Sequence, residues 1–197
     1  SGRSRKTGWH GTGAAKRRLG RKSSRTLAGP VVGTVMSNLG LEIALRDRGI
    51  GFQRAQVGDR YVMARMRETG ATLGGETSGH ILTLDKTTTG DAIVAALQVL
   101  AVMRQTGRSL AELAAGMSKL PQTMVNVKVA RRFDPRSVPA VQDVLKRVEG
   151  RLGKQGRVVL RASGTEPVIR VMIEAEGETI ARDSANEIAE VVRSAAA

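Results

Sequence analysis

The sequence predicts an α/β chain of two unequal domains. Residues 31–120 form a β-α-β type domain with a mixed sheet, and residues 121–197 form a small α+β domain with an antiparallel sheet and helices on one face. Three observations predict it. From Val31 to Glu68, short β-branched runs alternate with helical patterns, as parallel βαβ units do. Further on, the runs GRVVLR and VIRVMIEA flank a short polar loop and are followed by an amphipathic helical pattern. The length of 197 residues suits two small cores, and with aromatics at 2% those cores must be built from Val, Leu, Ile, Met and Ala.

The elements follow in order. A strand is predicted over Val31 to Val35, a helix over Leu39 to Asp47 ending before Gly49, a strand over Phe52 to Val57, and a helix over Arg60 to Glu68 ending at Gly70. A glycine-bounded hairpin around Glu76 leads into the strand Ile81 to Leu84. Thr89 is placed as the cap of a helix over Asp91 to Gln105, whose Ile93, Ala96, Leu97, Leu100 and Met103 share one face and are assigned to the core. A further helix at Ser109 to Met117 precedes Pro121, where the domain boundary is placed. Beyond it come a strand over Thr123 to Val129, a helix over Val138 to Leu152, and strands over Gly156 to Arg161 and Val168 to Ala175. The last helix, Thr179 to Ser194, sets Ile180, Ser184, Ile188, Val191 and Ala195 against the sheet and leaves Arg182, Asp183, Glu187 and Glu190 in solvent.

Charge divides the chain unevenly. The net +14 would point to a nucleic-acid partner, yet residues 1–30 hold nine Lys or Arg and no acid, leaving 23 basic and 18 acidic residues, or +5, for the remainder. The segment 1–30, rich in Gly, Ser, Arg and Lys, is expected to be disordered because it has too little apolar surface to offset its ordering entropy. One reading makes it a nucleic-acid arm, with Lys16-Arg17-Arg18 and Arg21-Lys22 on phosphates and Trp9 for stacking. The other makes it sequence foreign to the domains that follow. No Gly-Lys-Ser/Thr triplet occurs near Gly8 to Lys16, which excludes a P-loop there. With no cysteine there is neither a disulfide framework nor a thiolate metal site. No apolar run reaches the ~18 residues that span a membrane, and no signal-peptide stretch opens the chain, so a cytoplasmic location with no membrane contact is expected.

Two loops carry the chemistry. In Arg161-Ala-Ser163-Gly164-Thr165-Glu166-Pro167-Val-Ile-Arg170, two guanidiniums, two hydroxyls and the amides near Gly164 surround one point, which is how proteins hold a phosphate. Strand alternation puts Arg170 on one face with Met172 and Glu174, opposite Ile169, Val171 and Ile173. The other loop is Gly74-Gly75-Glu76-Thr77-Ser78-Gly79-His80, in which Glu76 and Ser78 project from one side of a turn and can bond neighbouring sugar hydroxyls, with His80 as an added proton donor.

In this order and spacing, GGETSGH and RASGTEPVIRVM resemble the sugar-binding and phosphate-binding loops of the α-D-phosphohexomutase family. VVGTVMSNLGL from Val31, VGDRY from Val57, TTTGD from Thr87 and Pro121-Gln122 leading into VNV are similar to its amino-sugar branch. The motifs run from about Pro30 to the C-terminus. The resemblance implies that this is the third and fourth of four domains, and that the whole enzyme moves phosphate from a phosphoserine to a hexosamine 6-phosphate such as glucosamine 6-phosphate. A bisphosphate then reorients to give the 1-phosphate, in cell-wall precursor synthesis. The fragment alone is expected to be inactive.

By that resemblance, Arg161, Ser163, Gly164, Thr165 and Arg170 grip the unreactive phosphate. Glu76 and Ser78 hold the sugar, and His80 and Arg60 face the reacting end, His80 being the one candidate for a catalytic role. The family's phosphoserine loop is absent, since Ser37-Asn38 lacks the following His and Pro. Its magnesium loop of three aspartates is absent too, Asp59 being a single carboxylate where a hard cation wants several oxygens. Mg²⁺ therefore belongs to the full-length family, without ligands here. The implied partners are a hexosamine phosphate and either the missing N-terminal domains or a second copy. Thr77 and Ala162 depart from common family residues at positions that need no ligand contact. The change from no likeness to dense likeness at Pro30 favours the foreign reading of residues 1–30.

Overall fold

The computed structural model describes residues 27–131, 133–164 and 166–196. The basic segment up to residue 26 and Thr165 lie outside the described residues, and so do the expectations placed on them.

The first sheet is built on β1 (Val31–Thr34), whose four residues VVGT are all buried. It is central because both neighbours run parallel to it: β2 (Phe52–Ala55) on one side and β3 (Leu73–Gly75) on the other, with β4 (Ile81–Thr83) antiparallel at the far edge. Between the strands lie α1 (Leu39–Arg46), capped by the Asn38 side chain on Gly40 N–H at 2.9 Å, and α2 (Asp59–Thr69), ended by Gly70 at φ 67°. Val62 and Met66 of α2 pack on Val32, Ala55 and Leu82. Gly74 is required at the contact, since a Cβ there would lie 2.6 Å from the Met66 sulfur.

The helix α3 (Ala92–Thr106) departs from expectation twice. Its cap is Asp91, which accepts from the N–H groups of Ile93 and Val94, and not Thr89. Its assigned core face points outward: Ile93 is 74% exposed and Leu97 and Leu100 are each 56% exposed, while Ala95 is the buried residue. The helix is apolar around nearly its whole circumference, so periodicity could not say which face meets the sheet. A short α4 (Leu110–Ala114) follows, opened by a Ser109–Glu112 capping box.

The second sheet has the order β5-β7-β6, all antiparallel, from β5 (Gln122–Lys128), β6 (Arg157–Ala162) and β7 (Val168–Glu174). Two helices, α5 (Pro139–Leu152) and α6 (Glu178–Ala196), cover one face, as expected. Ile169, Val171 and Ile173 enter that core with Val141, Val148 and Ile188, and the alternate residues Arg170, Met172 and Glu174 face away from the helices. The buried stripe of α6 is shifted from the expected one. Ala181, Ala185, Ala189, Ile188 and Val192 meet the sheet and Ile180 is half exposed, because α6 lies low over β5 and β7 where small side chains let it approach.

Glu187 is also more than a solvated surface charge. It bonds Arg151 at 2.6 Å and Arg147 at 2.9 Å, latching α6 to α5, and the Arg151 hydrogen bond holds its carboxyl below the usual carboxylate range. A depressed carboxyl contributes stability that is full above the unfolded pKa of ~4.3 and is lost as pH falls through the lower folded value. Solvent screens this latch, so Glu187→Gln is expected to cost about 0.5 kcal/mol at neutral pH. In urea unfolding the wild-type and variant curves should converge as pH drops below ~4. A gap that persists undiminished in acid would contradict the latch.

Candidate functional site

The loop from Ser163 to Pro167 joins β6 to β7. Ser163 N–H donates to Val168 O at 2.7 Å, Glu166 N–H donates to Ser163 Oγ at 3.3 Å, and Val129 N–H donates to Pro167 O at 3.0 Å, so the turn is tied to β5 as well. Ser163 is buried, Gly164 is exposed, and a Cβ on Gly164 would meet nothing.

Just inside the loop, Arg161 and Arg170 stand opposite each other in the β6–β7 ladder, and Asn126 of β5 stands opposite Arg170 on its other side. All three lie on the face away from the helices. Two like charges directly across a ladder repel, and an anion between them would remove that cost. The pair is poorly satisfied by the protein. Arg170 Nη2 reaches Glu166 only at 3.4 Å, Arg170 Nε is buried without a hydrogen-bond partner, and Arg161 has none among the described residues.

The β3–β4 hairpin is closed by Glu76 N–H donating to His80 O at 2.9 Å and by Gly79 at φ 99°. Its side chains are not arranged as the sequence suggested. The Glu76 side chain is only 8% exposed and turns inward to accept from Gly58 N–H at 2.7 Å, at the start of α2. A backbone N–H at a helix N-terminus favours a carboxylate, and no side chain caps α2, which is why the acid turns in rather than standing beside Ser78. Ser78 is exposed, with its Oγ at 3.2 Å from His80 Nδ1, and the second Glu76 oxygen lies 3.7 Å from the same nitrogen. Glu76 and Ser78 therefore converge on His80 Nδ1. Beside them Arg60 stacks on the Tyr61 ring at 4.5 Å and donates to its hydroxyl. Tyr61, which no sequence pattern singles out for a role, is thus fixed against Arg60.

Between the two loops lies a junction that sequence reasoning also missed. Glu174, fully buried, accepts from Leu39 N–H at 2.8 Å, from Asn38 Nδ2 at 3.2 Å and from Arg157 Nε at 2.6 Å. Arg157 donates onward to the Val35 and Ser37 carbonyls, and Arg54, paired with Glu42, donates to the Ser37 carbonyl as well. Burial, then the nearby Arg157, lowers the Arg54 pKa. The Asn38 side chain donates from Nδ2 to the Leu120 carbonyl and accepts from the Leu120 N–H at Oδ1. The loop 35–38 after β1 is thus clamped to β6 and β7. The available signal was the Arg157–Glu174 cross-strand pair on the same face as Arg161 and Arg170.

Residues 12–120 match the family profile described as phosphoglucomutase/phosphomannomutase, alpha/beta/alpha domain III, and residues 124–191 match that of the family's C-terminal domain. Likeness to the family therefore reaches into the basic segment and does not stop at Pro30. The phosphoglucosamine mutase of Thioalkalivibrio sulfidiphilus is 54% identical over 181 residues, covering 90% of this chain and 40% of that protein. That of Methylococcus capsulatus is 56% identical over 172 residues, covering 87% and 38%. In structure, the chain is similar to Aspergillus fumigatus N-acetylphosphoglucosamine mutase in complex with GlcNAc-6P and magnesium, with TM-score 0.71 and 26% identity over 88% of this chain and 40% of that one. The chain spans about 40% of the length of the curated relatives it matches. Magnesium is not fitted by what this chain offers: among the described residues no group of three His, Cys, Asp or Glu could hold a metal ion, and the Asp59 carboxylate is engaged by Arg60 N–H. Since the domain III profile alone matches 12–120 and the C-terminal profile follows in register with the second sheet, the chain belongs to the α-D-phosphohexomutase family, as its third and C-terminal domains.

Proposed function

We propose that this chain is the substrate-recognition half of a phosphoglucosamine mutase, interconverting glucosamine 6-phosphate and glucosamine 1-phosphate when the phosphoserine and metal loops are supplied by the rest of the enzyme. The observation that carries the reading is the unsatisfied Arg161–Arg170 pair beside the Ser163–Gly164 turn. An anion there would accept from both guanidiniums, the loop amides and the Ser163 hydroxyl. This chain's share of the work is to hold. Gripping the phosphate that is not reacting fixes the sugar's other end, and that binding energy lowers the entropic cost of transfer at a centre this chain does not contain. Ser78, His80 and the second oxygen of Glu76, 3.7 Å from His80 Nδ1, would bond the sugar hydroxyls. Because Gly58 occupies the other Glu76 oxygen, the acid can offer one acceptor in a fixed position. A small polar cluster of this kind can serve both orientations of a bisphosphate as it turns over.

The test is a two-dimensional amide NMR titration of the chain with glucosamine 6-phosphate, then with unphosphorylated glucosamine and with glucose 6-phosphate. The reading expects saturable shifts at residues 76–80 and 161–170 with the phosphosugars and none with glucosamine. Dispersed spectra without saturable shifts would overturn it. Equal affinity for the two phosphosugars would leave phosphate recognition standing and remove the amino-sugar assignment.

A further inference from the structure

A ligand that touches both sheets requires them to be held in one register. Loop 35–38, the turn at Gly58 and the Glu76 hairpin leave the first sheet at the same edge, because β1, β2 and β3 run parallel and each ends there. In α/β sheets the carboxyl edge of the strands is where ligands lie. Each of these segments is tied down within the first domain. Thr34 N–H donates to Ser37 Oγ at 2.9 Å, Arg54 donates to the Ser37 carbonyl at 2.6 Å, and Gly58 N–H donates to Glu76 at 2.7 Å.

The second sheet is bonded to this edge at one rung. The Val35 and Ser37 carbonyls accept from Arg157 at 2.9 and 2.8 Å, and Asn38 Nδ2 and Leu39 N–H donate to Glu174 at 3.2 and 2.8 Å. Each of these four bonds ends on Arg157 or Glu174, which also bond each other at 2.6 Å across β6 and β7. The Arg161–Arg170 rung lies four residues further along the same two strands and on the same face, about 13 Å away at the usual rise per residue. The Val159–Met172 rung fills the interval, with Met172 buried. The β6–β7 ribbon is thus a ruler, with the junction at one end and the unsatisfied guanidiniums at the other.

We propose that Arg157 and Glu174 are positioning residues. They fix the span between the anion grip at Arg161 and Arg170 and the Glu76 hairpin, so that a ligand with a phosphate at one end and hydroxyls at the other is bound by both loops at once. This rests on the reading that those loops take the two ends of a hexosamine phosphate. Neither residue touches the ligand. They act on effective concentration: once the phosphate is held, the sugar meets its hairpin at a concentration set by how stiffly the two sheets are joined. Loss of the rung would leave loop 35–38 its bonds to Thr34 and Arg54, so the first sheet would keep its shape while the link to the anion grip loosens.

The experiment titrates the full chain separately with inorganic phosphate and with glucosamine 6-phosphate, by calorimetry and amide NMR. Two variants are compared with wild type. Arg157→Lys leaves Glu174 a counter-charge but loses the planar fork that spans two carbonyls. Arg157→Met combined with Glu174→Leu replaces the ion pair by apolar side chains, a change that commonly preserves folding. Both should bind inorganic phosphate as wild type does, because Arg161 and Arg170 are untouched. The preference for the phosphosugar over phosphate should fall at least about tenfold, with the shifts at residues 76–80 shrinking and those at 161–170 retained. Folded variants that keep the wild-type preference would overturn the proposal and leave the functional reading intact. An equal loss of affinity for both ligands would also overturn it, since the rung would then only support the anion grip. A wild type that binds phosphate and phosphosugar with the same affinity would overturn the reading of the Glu76 hairpin, and this proposal with it.

Discussion

Glu174→Ala is expected to destabilise the chain by about 3–5 kcal/mol, the cost of breaking a buried ion pair from one side. The carboxylate is fully buried and serves three donors: Leu39 N–H, Asn38 Nδ2 and Arg157 Nε. Its removal leaves the Arg157 guanidinium, itself only 16% exposed, without a counter-charge and close to the Arg54 guanidinium. The Leu39 amide loses its acceptor in the same step. A domain of ordinary stability has about 5–15 kcal/mol in total, so the variant should melt at a clearly lower temperature or fail to fold at the growth temperature. Glu174→Gln separates charge from shape. It keeps one acceptor oxygen for Leu39 but turns an amide toward Arg157, and it should fall between wild type and Ala. Urea unfolding of all three reads the series, and a loss under about 1 kcal/mol for Ala would show that the junction is wet and unimportant.

Arg161→Ala is expected to move binding and stability in opposite directions. If the guanidinium donates two charge-assisted hydrogen bonds to a phosphate, its loss costs about 3 kcal/mol, or roughly a 150-fold rise in Kd for glucosamine 6-phosphate. The unliganded chain should be no less stable, and slightly more so, because Arg161 faces Arg170 across the ladder and has no partner among the described residues. Arg161→Lys keeps the charge without the planar fork and should recover part of the affinity. Calorimetric titration and a thermal melt on the same samples check both halves. A variant that binds as wild type would place the phosphate elsewhere, and one that binds weakly because it has unfolded would show it in the melt.

The two loops were legible because their residues are contiguous. Ser163, Gly164 and the flanking arginines lie within ten positions, and hairpin geometry alone brings them together. Glu76 was legible as part of a polar hairpin but not in its orientation, since its partner Gly58 is eighteen residues away and belongs to the start of another helix. The junction was less legible still. Arg157 and Glu174 are remote in sequence from Val35, Ser37 and Leu39, whose backbone groups join the junction and leave no trace in side-chain pattern.

The helices show the same division. In α5, a polar back and an aliphatic stripe let the 3.6-residue period identify the core face. In α3, apolar on nearly every side, period carried no information, and Ile93, Leu97 and Leu100 were assigned inward when they face solvent. The strands, their order along the chain and the two polar loops could be read from neighbouring residues alone, because alternation, turn chemistry and local spacing are properties of neighbouring residues. Tertiary structure alone decided which face of α3 is covered, which way Glu76 turns and how Glu174 clamps the two sheets. Each of those outcomes depends on groups that only folding brings within hydrogen-bonding or packing distance.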